Sequence, residues 1–195
     1  MSEVARLQTG HVDALRELLR ICWLDTYTGI LSNDLIRVAA ERWHSRESLL
    51  RGLSNPRAYY GGLFEAGALR GMVAAAMADD ITLGISQLYV HPSQQRKGVG
   101  RRLMDAAIDH FPGATKVVLE VEEENSKGVA FYKKYGFSYP RKTTLEVGDF
   151  EIPCLVGEME ITQKWSRPSH GAVESGHGVA LTLCTSRLLA PLHNG

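Results

Sequence analysis

The sequence predicts a mixed α/β (α+β) domain, a mainly antiparallel sheet of about six to seven strands with one parallel central pair and flanking helices. Two observations carry this reading. The first is the stretch in which an apolar strand at residues 81–90 runs through His91-Pro92-Ser93-Gln94 and Gln95-Arg96-Lys97-Gly98-Val99-Gly100 into a helix at 101–111. An apolar strand follows at 116–121. Two consecutive strands joined by a whole helix must run parallel, with a right-handed crossover. The second is that the preceding strands, 59–65, 69–78 and 81–90, are separated only by Ala66-Gly67 and Asp79-Asp80. Turns that tight join antiparallel neighbours.

The other elements follow from periodicity and punctuation. Residues 4–9 alternate as a short first strand. Thr9 or Gly10 can cap a helix over 11–23 with the stripe Val12, Leu15, Leu18, Leu19 and Cys22. A polar and aromatic loop is expected at 25–31, a second helix at 33–44, and a third that stops at Ser54-Asn55-Pro56. The strand at 69–78 is nearly all apolar, which suits a strand covered on both faces. In the helix at 101–111, Val99, Leu103 and Ala107 form one stripe, widened by Met104, Ile108 and Phe111. Asn125 or Ser126 caps a helix over 127–135, and Gly136 ends it. Strands at 137–143 and 153–165 are expected to pair as a hairpin across 146–150. From 166 to 178, Ser, Gly and His dominate, and 179–192 is apolar without a clean period. We read residues 1–165 as the domain and 166–195 as a flexible tail without function.

Composition narrows the function classes. Lys plus Arg equals Asp plus Glu at 22 each, so bulk nucleic-acid binding is not indicated. The three cysteines, Cys22, Cys154 and Cys184, fit neither a disulfide framework nor a zinc site. They are compatible with a reducing, cytoplasmic setting. There is no apolar signal core, and no stretch approaches the ~20 apolar residues of a membrane span. The seven histidines form no ligand pair, so no metal site is expected. No Ser is set in G-x-S-x-G.

A strand, a glycine-bearing turn and a helix start make an anion site, because the first helical N–H groups lack partners and the dipole is positive there. Gly98 and Gly100 would let a ligand approach the main chain. Arg96, Lys97, Arg101 and Arg102 add four positive charges. The expectation is a phosphate or pyrophosphate cradle. The P-loop pattern is absent, and Leu103 stands where the dinucleotide fingerprint needs its third glycine.

Gln95-x-x-Gly98-x-Gly100 after an apolar strand instead resembles the acetyl-CoA loop of the GNAT acetyltransferase superfamily. Downstream, Leu119-Glu120-Val121-Glu122, then Asn125, then Ala130-Phe131-Tyr132-Lys133-Lys134-Tyr135-Gly136-Phe137 resembles that family's strand, Asn and A-x-F-Y-x-x-x-G-F sequence. Trp23-x-x-Thr26-Tyr27-x-x-Ile30-Leu31 looks like a branch that includes enzymes resembling bacterial spermidine/spermine acetyltransferases. The resemblance implies a single-domain GNAT-like fold whose central parallel pair is splayed. It also implies an N-acetyltransferase moving an acetyl group from acetyl-CoA to a primary amine by direct transfer, without a metal. The acceptor is a small amine, a polyamine or a protein amine, and many members pair as dimers, so a homodimer is compatible.

On that resemblance, the N–H groups of Gln95, Arg96, Lys97, Gly98, Val99, Gly100 and Arg101 take the pyrophosphate. The pantetheine arm lies in the splay along Leu88, Tyr89 and Val90, and an N–H near Val90 polarises the thioester. Asn125 touches the cofactor arm or simply caps its helix. Tyr132 is the general-acid position or a core tyrosine. The strand at 81–90 holds no carboxylate base and offers only Gln87. Glu120 and Glu122 share a face of the next strand; Glu120 is the candidate base, while Glu122 to Glu124 read equally well as solvated charge. Tyr27 and Gln87 are candidate acceptor contacts, and Asp79, Asp80 and Asp25 candidate attractors of a cation. The rival reading is a non-catalytic acyl-CoA-binding regulatory module on the same fold.

Overall fold

The computed structural model describes residues 2–29, 32–147 and 149–161. Seven strands, β1 (Ser2–Arg6), β2 (Ala58–Glu65), β3 (Ala68–Met77), β4 (Thr82–Val90), β5 (Lys116–Glu122), β6 (Ser138–Val147) and β7 (Phe150–Glu160), form one sheet in the order β1-β2-β3-β4-β5-β7-β6. Every neighbouring pair is antiparallel except β4 and β5. The helix α4 (Val99–His110) makes their crossover. The remaining helices are α1 (Val12–Tyr27), α2 (Asn33–Trp43), α3 (Arg46–Leu53) and α5 (Ser126–Tyr135).

Two apolar layers sandwich the sheet. One packs α1 through Val12, Leu15, Leu18, Leu19, Cys22, Trp23 and Tyr27 onto Met72, Ala74 and Tyr89. The other packs α4 and α5 onto Val73, Leu83, Ile85, Leu88, Val90, Leu119 and Val121. β3 is therefore covered on both faces, as its apolar run requires. At Gly71 a Cβ would meet Leu103 Cδ1 at 2.9 Å and Val99 Cγ1 at 3.1 Å, so a glycine lets α4 lie directly on the sheet.

Some expectations need correction. Neither Thr9 nor Gly10 caps α1; a 3-10 turn (Thr9–His11) leads in, held by the Gln8 N–H donating to His11 Nδ1 at 2.9 Å. α1 does not stop near Trp23 but runs through Asp25 and Thr26 to Tyr27, which is fully buried. The final hairpin turns more tightly than expected, with Val147 paired to Phe150. Cys22 and Cys154 are buried free thiols. Ile30, Leu31, Cys184 and the expected tail at 166–195 lie outside the described residues. No helix among the described residues is long and apolar enough to cross a membrane.

Candidate active site

β4 and β5 are hydrogen-bonded only over Thr82–Ile85 and Lys116–Leu119. At Ser86 the β3–β4 register slips, with Ala74 opposite Gln87 and Ala75 opposite Ile85. Ser86 Oγ donates to Ala74 O at 3.1 Å within this bulge. A bulge adds twist and bends its strand. Beyond it, Gln87, Leu88, Tyr89 and Val90 have no ladder partner on β5, while β4 stays paired to β3 along its other edge. This is the splay that the resemblance implies.

The loop that leaves β4 is built to expose main chain. Arg96 has φ +65° and Gly98 +79°, two left-handed residues within three positions. Such alternation turns peptide N–H groups to one side. Gly98 is the N-cap of α4, no side chain caps that helix, and a Cβ on Gly98 would stand in open space. Arg96 and Lys97 are exposed, and Val99 and Gly100 form the buried first turn. Gln95 Nε2 reaches back to Val90 O at 3.4 Å. The four positive charges do not act together. Arg102 is spent on β1, donating to Ser2 Oγ at 2.7 Å and Ser2 O at 2.9 Å. Arg101 lies 5.8 Å over the Tyr135 ring and 3.9 Å from Asp105.

On the α1 face of the sheet, just past the last β4–β5 pair of Ile85 and Leu119, stand Gln87 and Tyr89 of β4 and Glu120 and Glu122 of β5. Trp23 Nε1 donates to Tyr89 Oη at 3.0 Å. The Trp23 ring packs on Tyr27, His44 and Trp43 with centroids 4.7, 5.0 and 6.2 Å away. Burial disfavours the charged form of His44 and pushes it down to about 4. A cleft of about 620 Å³ opens between α1 and α2 with Trp23 and His44 in its lining.

Glu122 is only 2% exposed. Tyr27 Oη donates to Glu122 Oε1 at 2.6 Å, and Asn125 Nδ2 donates to Oε2 across a longer 3.4 Å. Asn125 Oδ1 in turn accepts the Gly128 N–H at 2.9 Å, capping α5. Burial, and then the Glu122 charge, hold the Tyr27 phenol well above its ordinary range. Burial, then Glu122 and Glu120, push the Cys154 thiol up to about 12. Glu120 Oε2 and Gln87 Oε1 are buried with no hydrogen-bond partner. Both side chains stand next to the point where β4 and β5 part.

Tyr132 lies in the other layer, fully buried among the residues that include Leu88, Val90 and Val121. Phe131 and Phe137 meet its ring edge-on at 5.1 and 5.6 Å. Glu120 and Tyr132 therefore flank the splay from opposite sides. Asp79 does not: it accepts the Ile81 and Thr82 N–H groups at 2.9 and 2.7 Å, at the far end of β4 from the splay.

Against known proteins, the profile of the acetyltransferase (GNAT) family matches residues 12–137. The chain belongs to the GNAT family. It is an N-acetyltransferase by class. A spermidine N(1)-acetyltransferase from Thermoplasma acidophilum is 30% identical over 141 residues, 69% of this chain and 87% of that protein. The crystal structure of PaiA N-acetyltransferase from Thermoplasma acidophilum in complex with coenzyme A superposes with a TM-score of 0.71 at 26% identity, covering 83% of this chain and 99% of that one. The ribosomal-protein-S18-alanine N-acetyltransferase from Escherichia coli shares the GNAT fold, with a TM-score of 0.64 at 17% identity over 88% of this chain and 99% of that one.

Sequence reasoning missed how this GNAT site is sealed. Glu122, whose run of glutamates reads at least as well as surface charge, is a buried junction, and the partners that Trp23 finds in Tyr89 and His44 leave no signal in the sequence. The alternation of β5 was the available signal for Glu122, since it shares a face with Glu120.

Proposed function

We propose that the protein transfers an acetyl group from acetyl-CoA directly to a cationic primary amine, a polyamine or another small amine or the amine of a protein. The observation that carries the acceptor side is the pair of buried, unpartnered oxygens, Glu120 Oε2 and Gln87 Oε1, beside the splay. The relative that acts on spermidine and the neighbour solved with coenzyme A support the same reading.

The uncapped start of α4 and the left-handed Arg96 and Gly98 fit a pyrophosphate, with the N–H groups from Gln95 to Arg101 as donors and Arg96 and Lys97 as charge. The unpaired edge of Leu88, Tyr89 and Val90 suits an amide-bearing arm, and the Val90 N–H would polarise the thioester carbonyl. Asn125 shapes this edge by setting where α5 begins. Bound acetyl-CoA supplies a thioester carbonyl open to attack and a thiolate leaving group.

A primary amine has an ordinary pKa of about 10.4, so it arrives protonated and must be deprotonated to attack. Gln87 and Glu120 accept its N–H groups, and Glu120 takes the proton. Tyr132 gives its phenolic proton to the departing sulfur. One C–N bond forms, one C–S bond breaks, and one net proton leaves to solvent. Tyr27 is the acceptor-side wall, through its bond to Glu122.

The test is turnover of acetyl-CoA with spermidine, other small amines and a lysine-bearing peptide. N-acetylated product is expected. Tight acetyl-CoA binding without product from any amine would replace this reading with a non-catalytic acyl-CoA-binding module.

A further inference from the structure

A buried carboxylate is costly unless hydrogen bonds satisfy it. Glu122 is buried at a point where three elements end or begin: it is the last residue of β5, Tyr27 is the last of α1, and Asn125 is the N-cap of α5. Its two oxygens receive the Tyr27 phenol at 2.6 Å and the Asn125 amide at 3.4 Å. The same three elements carry the chemistry. β5 bears Glu120 two residues earlier, α5 bears Tyr132 in its second turn, and α1 bears Trp23 and Tyr27.

We infer that Glu122 is a positioning residue for acetyl transfer, fixing the separation between the strand that carries Glu120 and the helix that carries Tyr132, with α1 as third anchor. The inference rests on the roles proposed above for Glu120 and Tyr132. Its leverage is geometric. Tyr132 lies seven residues past the cap, roughly 10 Å along the helix axis at 1.5 Å per residue, so a pivot of about 6° at the cap displaces it by about 1 Å. A displacement of about 1 Å at a reacting centre costs up to about a hundredfold in rate.

The contact has a polarity that can be reversed. In Glu122→Gln the side-chain amide still accepts from Tyr27, but its NH₂ then meets the NH₂ of Asn125. Adding Asn125→Asp restores a donor–acceptor pair, because Gln donates to Asp, and Asp still caps Gly128. Asn125→Asp alone sets two carboxylates against each other.

Steady-state kinetics of the full chain with acetyl-CoA and spermidine, or with the lysine-bearing peptide if that turns over faster, would compare these variants with Glu120→Gln and Tyr132→Phe. Expected for Glu122→Gln is a kcat lowered about ten- to a hundredfold with the KM for acetyl-CoA within about twofold. Expected for Glu122→Gln/Asn125→Asp is recovery to within about threefold of the parent, with Asn125→Asp alone well below it. The inference is overturned if Glu122→Gln keeps the parent kcat, or if the double variant is no better than Glu122→Gln, while Glu120→Gln and Tyr132→Phe are slow. Parent kcat in Glu120→Gln and Tyr132→Phe is a different result, and it defeats the proposed mechanism instead. If Glu122→Gln does not fold, Tyr27→Phe removes one anchor and leaves the carboxylate. A kcat lowered several-fold at unchanged acetyl-CoA KM then supports the role, and an unchanged kcat overturns it.

Discussion

The indole N–H of Trp23 donates to the hydroxyl of Tyr89 across 3.0 Å inside the core. This bond fastens α1 to β4 two residues past Gln87, where β4 has already parted from β5. Tyr27 to Glu122 is another buried polar tie between α1 and the diverging strands. Under the proposed function, both ties set the acceptor-side wall through the packing of α1.

Replacing Trp23 with Phe removes that donor and leaves a void beside His44 and Trp43. The Tyr89 hydroxyl loses a buried partner, which costs about 1–3 kcal/mol with the added cavity. Urea unfolding is expected to give a stability lower by that amount, seen as a lower midpoint at an unchanged slope. Acetyl-CoA binding is expected to hold, since the cradle leads into α4, in the opposite layer.

His44 makes stability depend on pH in a defined window. Burial pushes it down to about 4, whereas the unfolded chain titrates near the ordinary 6.5. Between those values the unfolded state binds the extra proton, so stability is complete above 6.5 and is lost as pH falls toward 4. The loss is about 3 kcal/mol at most. Unfolding measured from pH 7 to 4 is expected to decline more steeply in the parent than in His44→Gln. Parallel curves would contradict the assignment.

The glycine-bearing start of α4 and the crossover were legible in the sequence because their signals are local. Gln95, Gly98 and Gly100 stand within six residues, and a whole helix between 90 and 116 leaves no choice but parallel strands. The last turn of α1 was not legible. Asp25 and Thr26 are poor helix formers, and what holds them helical is Tyr27 reaching Glu122, 95 positions away. The bulge at Ser86 was hidden for a similar reason. It satisfies a carbonyl of the neighbouring strand, Ala74 O, and its trace in the sequence, a change of phase from Leu83 and Ile85 to Leu88 and Val90, is masked within a nearly continuous apolar run. Burial of Glu122 goes with the end of α1, since a run of three glutamates reads as solvent-facing until a helix end is laid over it.

Gly98 tests the cradle directly. Its φ of +79° is unfavourable for any residue with a Cβ, by about 1–2 kcal/mol. In addition, a side chain there enters the open space where a phosphate would approach the main chain. Gly98→Val is expected to weaken acetyl-CoA binding at least about tenfold by calorimetry. Gly113→Ala, in the exposed turn before β5, is the control and is expected to bind as the parent does.

The most direct test of the account is the rate at which free coenzyme A thiol appears from acetyl-CoA in the presence of spermidine or the lysine-bearing peptide. The parent, Glu120→Gln and Tyr132→Phe would be measured at saturating acetyl-CoA. The account predicts amine-dependent release by the parent. It also predicts a fall of about a hundredfold or more in each variant, with acetyl-CoA affinity preserved. Amine-dependent release that persists at the parent rate in both variants would contradict it.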